Sequence, residues 1–162
     1  MEERKCAIIS GCSMYFPWGY DEEAEDCGTL KIELLNRITK LICEGVTKFF
    51  VVMNAGFGLY AAEMLNGLRK IDPTIQLHCV VPWEDQATKW TPELRERYFN
   101  QLAASTNVYQ VATSKSETCE YDARMFAIYD CDTAIAIYVP DDKAFLPALE
   151  EAKRICRQVI TV

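Results

Sequence analysis

Few side chains in this sequence are placed to do chemistry. Cys12 and Ser13 follow Gly11, the turn that ends the apolar run at residues 6–10 (CAIIS). A thiol or hydroxyl there is presented at a strand end, the position from which a low-pKa thiolate acts, yet no base can be named for either group. Further on, Asn54-Ala55-Gly56-Phe57-Gly58 joins a strand to a helix start. Two glycines in such a turn can let backbone amides approach an anion, although the spacing is neither GxGxxG nor a Walker loop, and tight-turn geometry explains them as well. Glu63 stands about one helical turn beyond this loop, as a candidate general acid/base or as a solvated carboxylate near a helix N-terminus. The single histidine, His78, falls inside an apolar strand and reads as a core residue under a helix rather than as a catalyst.

The elements that must position these groups follow from hydrophobic periodicity. Strands are expected at residues 6–10, 47–53, 75–81, 107–112, 133–139 and 158–162. All but the weak fourth are rich in aliphatic or β-branched residues. Helices are expected between them. Leu30, Leu34, Ile38, Leu41 and Ile42 recur at helical spacing over residues 29–44, with Gly45 as the C-terminal glycine, and Leu59, Ala62, Leu65 and Leu68 share a face before Asp72-Pro73. Thr91-Pro92 opens a third helix with a hydroxyl cap and a first-turn proline, residues 119–129 form a fourth, and Asp141 or Asp142 is expected to cap the last. Apolar strands alternating with helices predict an α/β class: one Rossmann-like domain over residues 1–162, a doubly wound, mainly parallel sheet of about six strands with helices on both faces.

In such sheets ligands collect beyond the carboxyl ends of the strands. The rule brings the loop at residues 11–20 (GCSMYFPWGY), the glycine turn and the loop at residues 82–90 to one edge. Tyr15, Phe16, Trp18, Tyr20, Trp83 and Trp90 offer stacking surface there for a planar ligand, or pack the loops onto the sheet. Glu84, Asp85, Asp141 and Asp142 outweigh Lys89 and Lys143 at that edge. A neutral or weakly anionic guest, such as a nucleoside or monophosphate, therefore suits it better than a polyphosphate.

Composition narrows the classes. With 24 acidic against 17 basic side chains and a net charge of −7, and with no basic run, the chain is not expected to bind nucleic acid. No signal-peptide pattern and no apolar stretch near 18 residues is found, so neither export nor a membrane is expected, and the setting reads as cytoplasmic. The eight cysteines contain no CxxC pair and there is one histidine, so they read as reduced, mostly buried thiols, with no metal site. A homo-oligomer remains open.

Taken in order, several short motifs resemble those of the YpsA-like family, a bacterial group within the SLOG superfamily of Rossmann-like ligand-binding domains. The markers are Ser10-Gly11, Gly19-Tyr20-Asp21-Glu22, Gly56 with Ala61-Ala62-Glu63, then Pro82, Gln86 and Trp90, Arg97-Tyr98, and Asp132 before the strand at residues 134–138. The resemblance implies a doubly wound sheet with a nucleotide-like ligand in its crevice, and no settled reaction. Departures fall at ligand positions. Gly11-Cys12-Ser13 stands where the family has Gly-His-Arg, the second loop lacks one glycine and an aspartate, Ala123-Arg124 replaces an Arg-Asn pair, and Asp141-Asp142-Lys143-Ala144 replaces a late Gly-Gly-Thr loop.

The expected function is a small-molecule binding or sensor domain with a degenerate phosphate loop, leaning away from catalysis. Its candidate ligand contacts are Gly11, Cys12, Ser13, Trp18, Tyr20, Asn54, Gly56, Gly58, Trp83, Gln86, Trp90 and Asp132. No certain cofactor is implied beyond a nucleotide or nucleoside-derived ligand. The alternatives are a hydrolase of an N-glycosidic or phosphoribosyl bond using Glu63, and an interaction module with a vestigial pocket.

Overall fold

A computed structural model describes residues 3–162. Six strands, β1 (Arg4–Ser10), β2 (Val46–Val52), β3 (Gln76–Val81), β4 (Asn107–Gln110), β5 (Thr133–Ile137) and β6 (Gln158–Thr161), form one sheet in the order β4-β3-β2-β1-β5-β6. Every neighbouring pair is parallel. Helices α1 (Glu25–Cys43), α2 (Phe57–Arg69), α3 (Pro92–Ala104), α4 (Cys119–Ile128) and α5 (Leu146–Ile155) make the crossovers. This is the doubly wound α/β arrangement that the alternating pattern predicts.

The sheet divides two cores. Cys6, Ile8, Phe49 and Leu77 pack with Leu34 and Ile38 of α1, Leu59 and Leu65 of α2 and Tyr98 of α3. On the opposite face Ala7, Ile9, Val80 and Ala134 meet Ala123 and Ala127 of α4 and Leu149 of α5. Burial on both sides explains why the central strands are apolar throughout rather than alternating. Each fully buried large side chain in these cores contributes about 2 kcal/mol.

Local signals act as their chemistry requires. Thr91 accepts the Leu94 amide at 3.3 Å with Pro92 at the first helical position, and Gly45 takes a φ of 101° to end α1. The last helix departs from expectation. It starts at Leu146 with Phe145 as its cap residue, and neither Asp141 nor Asp142 caps it. Pro147 fixes the start, because its ring presets the first turn and its missing amide costs nothing there. Asp142 is used elsewhere.

His78 behaves as a core residue. It stacks on Phe50 at 4.7 Å and Tyr109 at 5.9 Å, its Nε2 lies 2.9 Å from Gln76 Oε1, and burial lowers its pKa. Cys6, Cys27, Cys79, Cys119, Cys131 and Cys156 are buried thiols, Cys12 is half-buried and Cys43 is exposed.

Candidate functional site

The strand order places the topological switch between β1, whose chain leads outward to β4, and β5, which lies on its other side. Loops after the two strands diverge there, and the rule for open parallel sheets puts a guest at that edge. Beyond the carboxyl ends of β1, β2 and β3 the structure has a small hollow of about 60 Å³. The first loop supplies Cys12, Ser13 and Tyr20 to its wall, and the second supplies Asn54. Pro82 and Gln86 come from the third, while Glu120 and Arg124 come from α4 on the opposite face of the sheet.

Of the residues expected to touch a ligand, Cys12, Ser13, Tyr20, Asn54 and Gln86 are brought together, and Gly11, Gly56 and Gly58 lie in the adjoining turns. The Tyr20 hydroxyl, desolvated and close to the Cys12 thiol, titrates above its ordinary range. Gln86 is buried and donates to the Tyr98 hydroxyl at 3.0 Å, so its amide is partly committed to the core.

The other expected contacts are elsewhere. Trp18 stacks on Phe16 at 5.2 Å and meets Phe57 edge-on, packing the first loop onto α2. Trp90 lies edge-on to Tyr98 at 4.9 Å, and Trp83 carries the Lys115 ammonium over its ring at 5.4 Å. Only Tyr20 of the six loop aromatics lines the hollow. Phe16, Trp18 and Trp90 pack against neighbouring rings instead, the alternative open to each from the start.

Asp132 stands at the opposite edge, just before β5, where it accepts from Arg4 Nε at 3.1 Å and from the Lys5 amide at 3.2 Å. It cannot serve a site beyond the carboxyl ends, because a strand's length separates the two edges.

Glu63 also lies away from the hollow. Its two oxygens accept from Arg97 at 3.0 and 2.7 Å, while Arg97 reaches Glu22 through two further bonds of 2.7 and 2.8 Å. Lys31 completes the cluster, 2.9 Å from Glu22 and 4.4 Å above the Tyr60 ring. This clamp ties the first loop to α2 and α3. Hydrogen bonds from Arg97 pull Glu22 down from 4.5 to about 2. A depressed carboxylate adds stability that is complete above its ordinary pKa and is lost as pH falls through the folded value. The unfolding midpoint in urea is therefore expected to drop between pH 4.5 and about 2, and Glu22→Gln to flatten that slope. Arg97→Met, which strands the Glu63 carboxylate and leaves Glu22 with Lys31 alone, is expected to cost about 2 kcal/mol in the same measurement at neutral pH.

The amides of the glycine turn are already bonded. Asn54 Oδ1 accepts from Gly56 at 2.9 Å and Gly58 at 3.0 Å, and Asn54 Nδ2 donates to Ser10 Oγ at 2.7 Å. Gly58 is needed for packing, since a Cβ there would run into the Val52 carbonyl oxygen. Gly56 faces the Ser13 hydroxyl in the same way, which locks the first two loops together.

The residue that sequence reasoning left out is Arg124. Only 6% exposed, it donates from an Nη to the Ser10 carbonyl at 3.2 Å and lies 4.9 Å from the Phe145 ring. Its Nε has no hydrogen-bond partner among the described residues. Burial lowers its pKa, while the charges of Glu120 and Asp142 oppose that shift. A charged group at helical spacing within α4 looks solvated in one dimension. The one signal was its place in Ala123-Arg124, where the resembled family has an Arg-Asn pair.

A family model described as the YspA SLOG family (YpsA) matches residues 14–154. The chain belongs to this family. The match covers the clamp, α4 and the lining of the hollow except Cys12 and Ser13, which precede it. Among curated relatives, a UPF0398 protein of Bacillus pumilus is 27% identical over 114 residues, covering 69% of this chain and 61% of its own length. A UPF0398 protein of Halalkalibacterium halodurans is 35% identical over 69 residues, 43% of this chain and 36% of its own. A third, from Bacillus licheniformis, is 32% identical over 76 residues, 47% and 42% respectively. The matches thus cover between 36% and 61% of the length of these relatives. Among the described residues no helix is long and apolar enough to cross a membrane, and no cluster of His, Cys, Asp and Glu is arranged to hold a metal ion.

Proposed function

We propose that the chain is a binding domain for a small, planar, nucleoside- or nucleotide-related molecule, held at the hollow beyond β1 to β3 in a cytoplasmic protein. Arg124 carries the reading. A guanidinium taken out of water loses several kcal/mol of hydration unless its donors are met, and Arg124 lines this edge with its buried Nε unpartnered among the described residues. An acceptor atom on a guest at this edge would offset part of that loss by pairing with the guanidinium.

The hollow, about 60 Å³, is well below the roughly 300–1,000 Å³ of sites that enclose a whole small molecule. It suits a polar head, with the rest of the guest resting on the exposed ring of Tyr20. Binding without turnover is favoured over glycosidic hydrolysis, because the candidate acid/base Glu63 is held by Arg97 outside the hollow. A vestigial pocket is disfavoured for a different reason: the Ser10 and Phe145 contacts leave part of the desolvation of Arg124 uncompensated.

A thermal-shift panel of nucleosides, nucleotides, NAD and ADP-ribose derivatives tests the reading. A ligand at a hundredfold over its Kd adds about 2.7 kcal/mol, which for a domain of this size raises the midpoint by about 5–10 °C. A panel in which every compound leaves the midpoint unmoved removes the proposal.

A further inference from the structure

At the switch point the chain has filled its own anion position. Asp142, on the loop between β5 and α5, is 3% exposed, and its Oδ2 accepts from the Cys12 amide at 2.9 Å. The carboxylate is pressed against Gly11, where a Cβ would stand 2.6 Å from Oδ2. The backbone holds it there, with the Asp142 amide donating to Val139 O at 3.0 Å and the Phe145 amide donating to Asp142 O at 3.2 Å. An amide leaving the first strand at the crevice between β1 and β5 is where a parallel sheet receives a phosphate. Here it is met by a carboxylate that belongs to the protein.

The geometry points to Asp142 as the residue that sets ligand class: it excludes a phosphate from the switch point, so the guest is an unphosphorylated, neutral nucleobase or nucleoside. This rests on the binding reading above and narrows it. Two further observations agree. The second set of amides, those of Gly56 and Gly58, is taken by the neutral Asn54 oxygen. Of the charged groups, Arg124 and Glu120 line the hollow and offset each other, and the Asp142 carboxylate acts on Arg124 from beside it, which disfavours an anion and tolerates a neutral acceptor.

The test uses inorganic phosphate together with matched nucleosides and their 5′-monophosphates, read by the ¹⁵N–¹H shift of the Cys12 amide and by thermal shift. In the wild-type protein, phosphate is expected to leave the Cys12 amide unmoved and each nucleoside to outrank its monophosphate. In Asp142→Ala, phosphate should shift that amide saturably, with an affinity gain of at least about tenfold, and the ranking should reverse. Asp142→Ser is the second variant should alanine lower folding. A wild-type Cys12 amide that responds to phosphate, monophosphates that bind wild type more tightly than nucleosides, or a folded variant that gains no phosphate binding overturns the inference. A panel in which no nucleoside or nucleotide binds defeats only the binding reading, since the phosphate comparison between wild type and variant still reports on Asp142.

Discussion

Arg124→Met is expected to raise the unfolding free energy by about 1 kcal/mol while abolishing the midpoint shift produced by whichever nucleoside or nucleotide the wild-type protein binds. Two opposing terms decide the first result. The guanidinium loses one charge-assisted bond to the Ser10 carbonyl, about 1.5–3 kcal/mol, and its contact with Phe145, about 1 kcal/mol. Against these stands the desolvation of a cation that is 6% exposed with a donor unmet, a cost of several kcal/mol. Methionine fills the volume and keeps a sulfur contact with the ring. Urea melts of the two proteins check the balance. A loss of more than about 2 kcal/mol makes Arg124 a structural linchpin and takes away the argument that its guanidinium is kept for a guest. A gain in stability together with loss of binding is the signature of a group kept for function rather than for folding.

Gly58→Ala is expected to destabilise the fold by about 3 kcal/mol, a far larger effect than alanine has in most helices, where it outranks glycine by about 1 kcal/mol. Helix propensity favours the substitution, and sterics reverse the sign. The new Cβ would collide with the Val52 carbonyl oxygen at the end of β2 and press on Met53 Cα and Asn54 Oδ1, both 3.1 Å away. All three are backbone or tightly bonded atoms, so α2 must lift from the strand, and the bonds from Gly56 and Gly58 to Asn54 weaken with it. Gly67→Ala is the matched control, because a Cβ there meets nothing within 4 Å. Chemical denaturation of the pair separates packing from propensity. Equal stability of the two variants would show that Gly58 is not held against the strand.

Much of the resemblance that the sequence carried proves to be clamp rather than site. Glu22, Glu63 and Arg97, drawn from three separate motifs, meet in one ion-pair cluster. Gln86 and Tyr98 share a buried hydrogen bond, and Asp132 pairs with Arg4. Their spacing marked the fold well, because holding a long first loop over two helices needs fixed partners. It marked the ligand poorly for the same reason. Trp18 and Trp90 misled in a similar way, since aromatic rings near a crevice bury against the nearest apolar surface before they wait for a guest.

The order and type of the elements were determined by the sequence alone. Strands buried on both faces must be apolar along their whole length, helices covering one face must be apolar at 3.6-residue spacing, and glycine, proline and threonine mark where each pattern ends. Those are local constraints, each legible within a dozen residues. Only the tertiary structure decided what faces the hollow. Arg124 arrives there from a helix on the far side of the sheet, and Asp142, rather than capping the last helix, accepts the Cys12 amide beside it. Both facts depend on contacts across more than a hundred residues of chain, where the competition between desolvation and hydrogen bonding is settled by neighbours that no local pattern names.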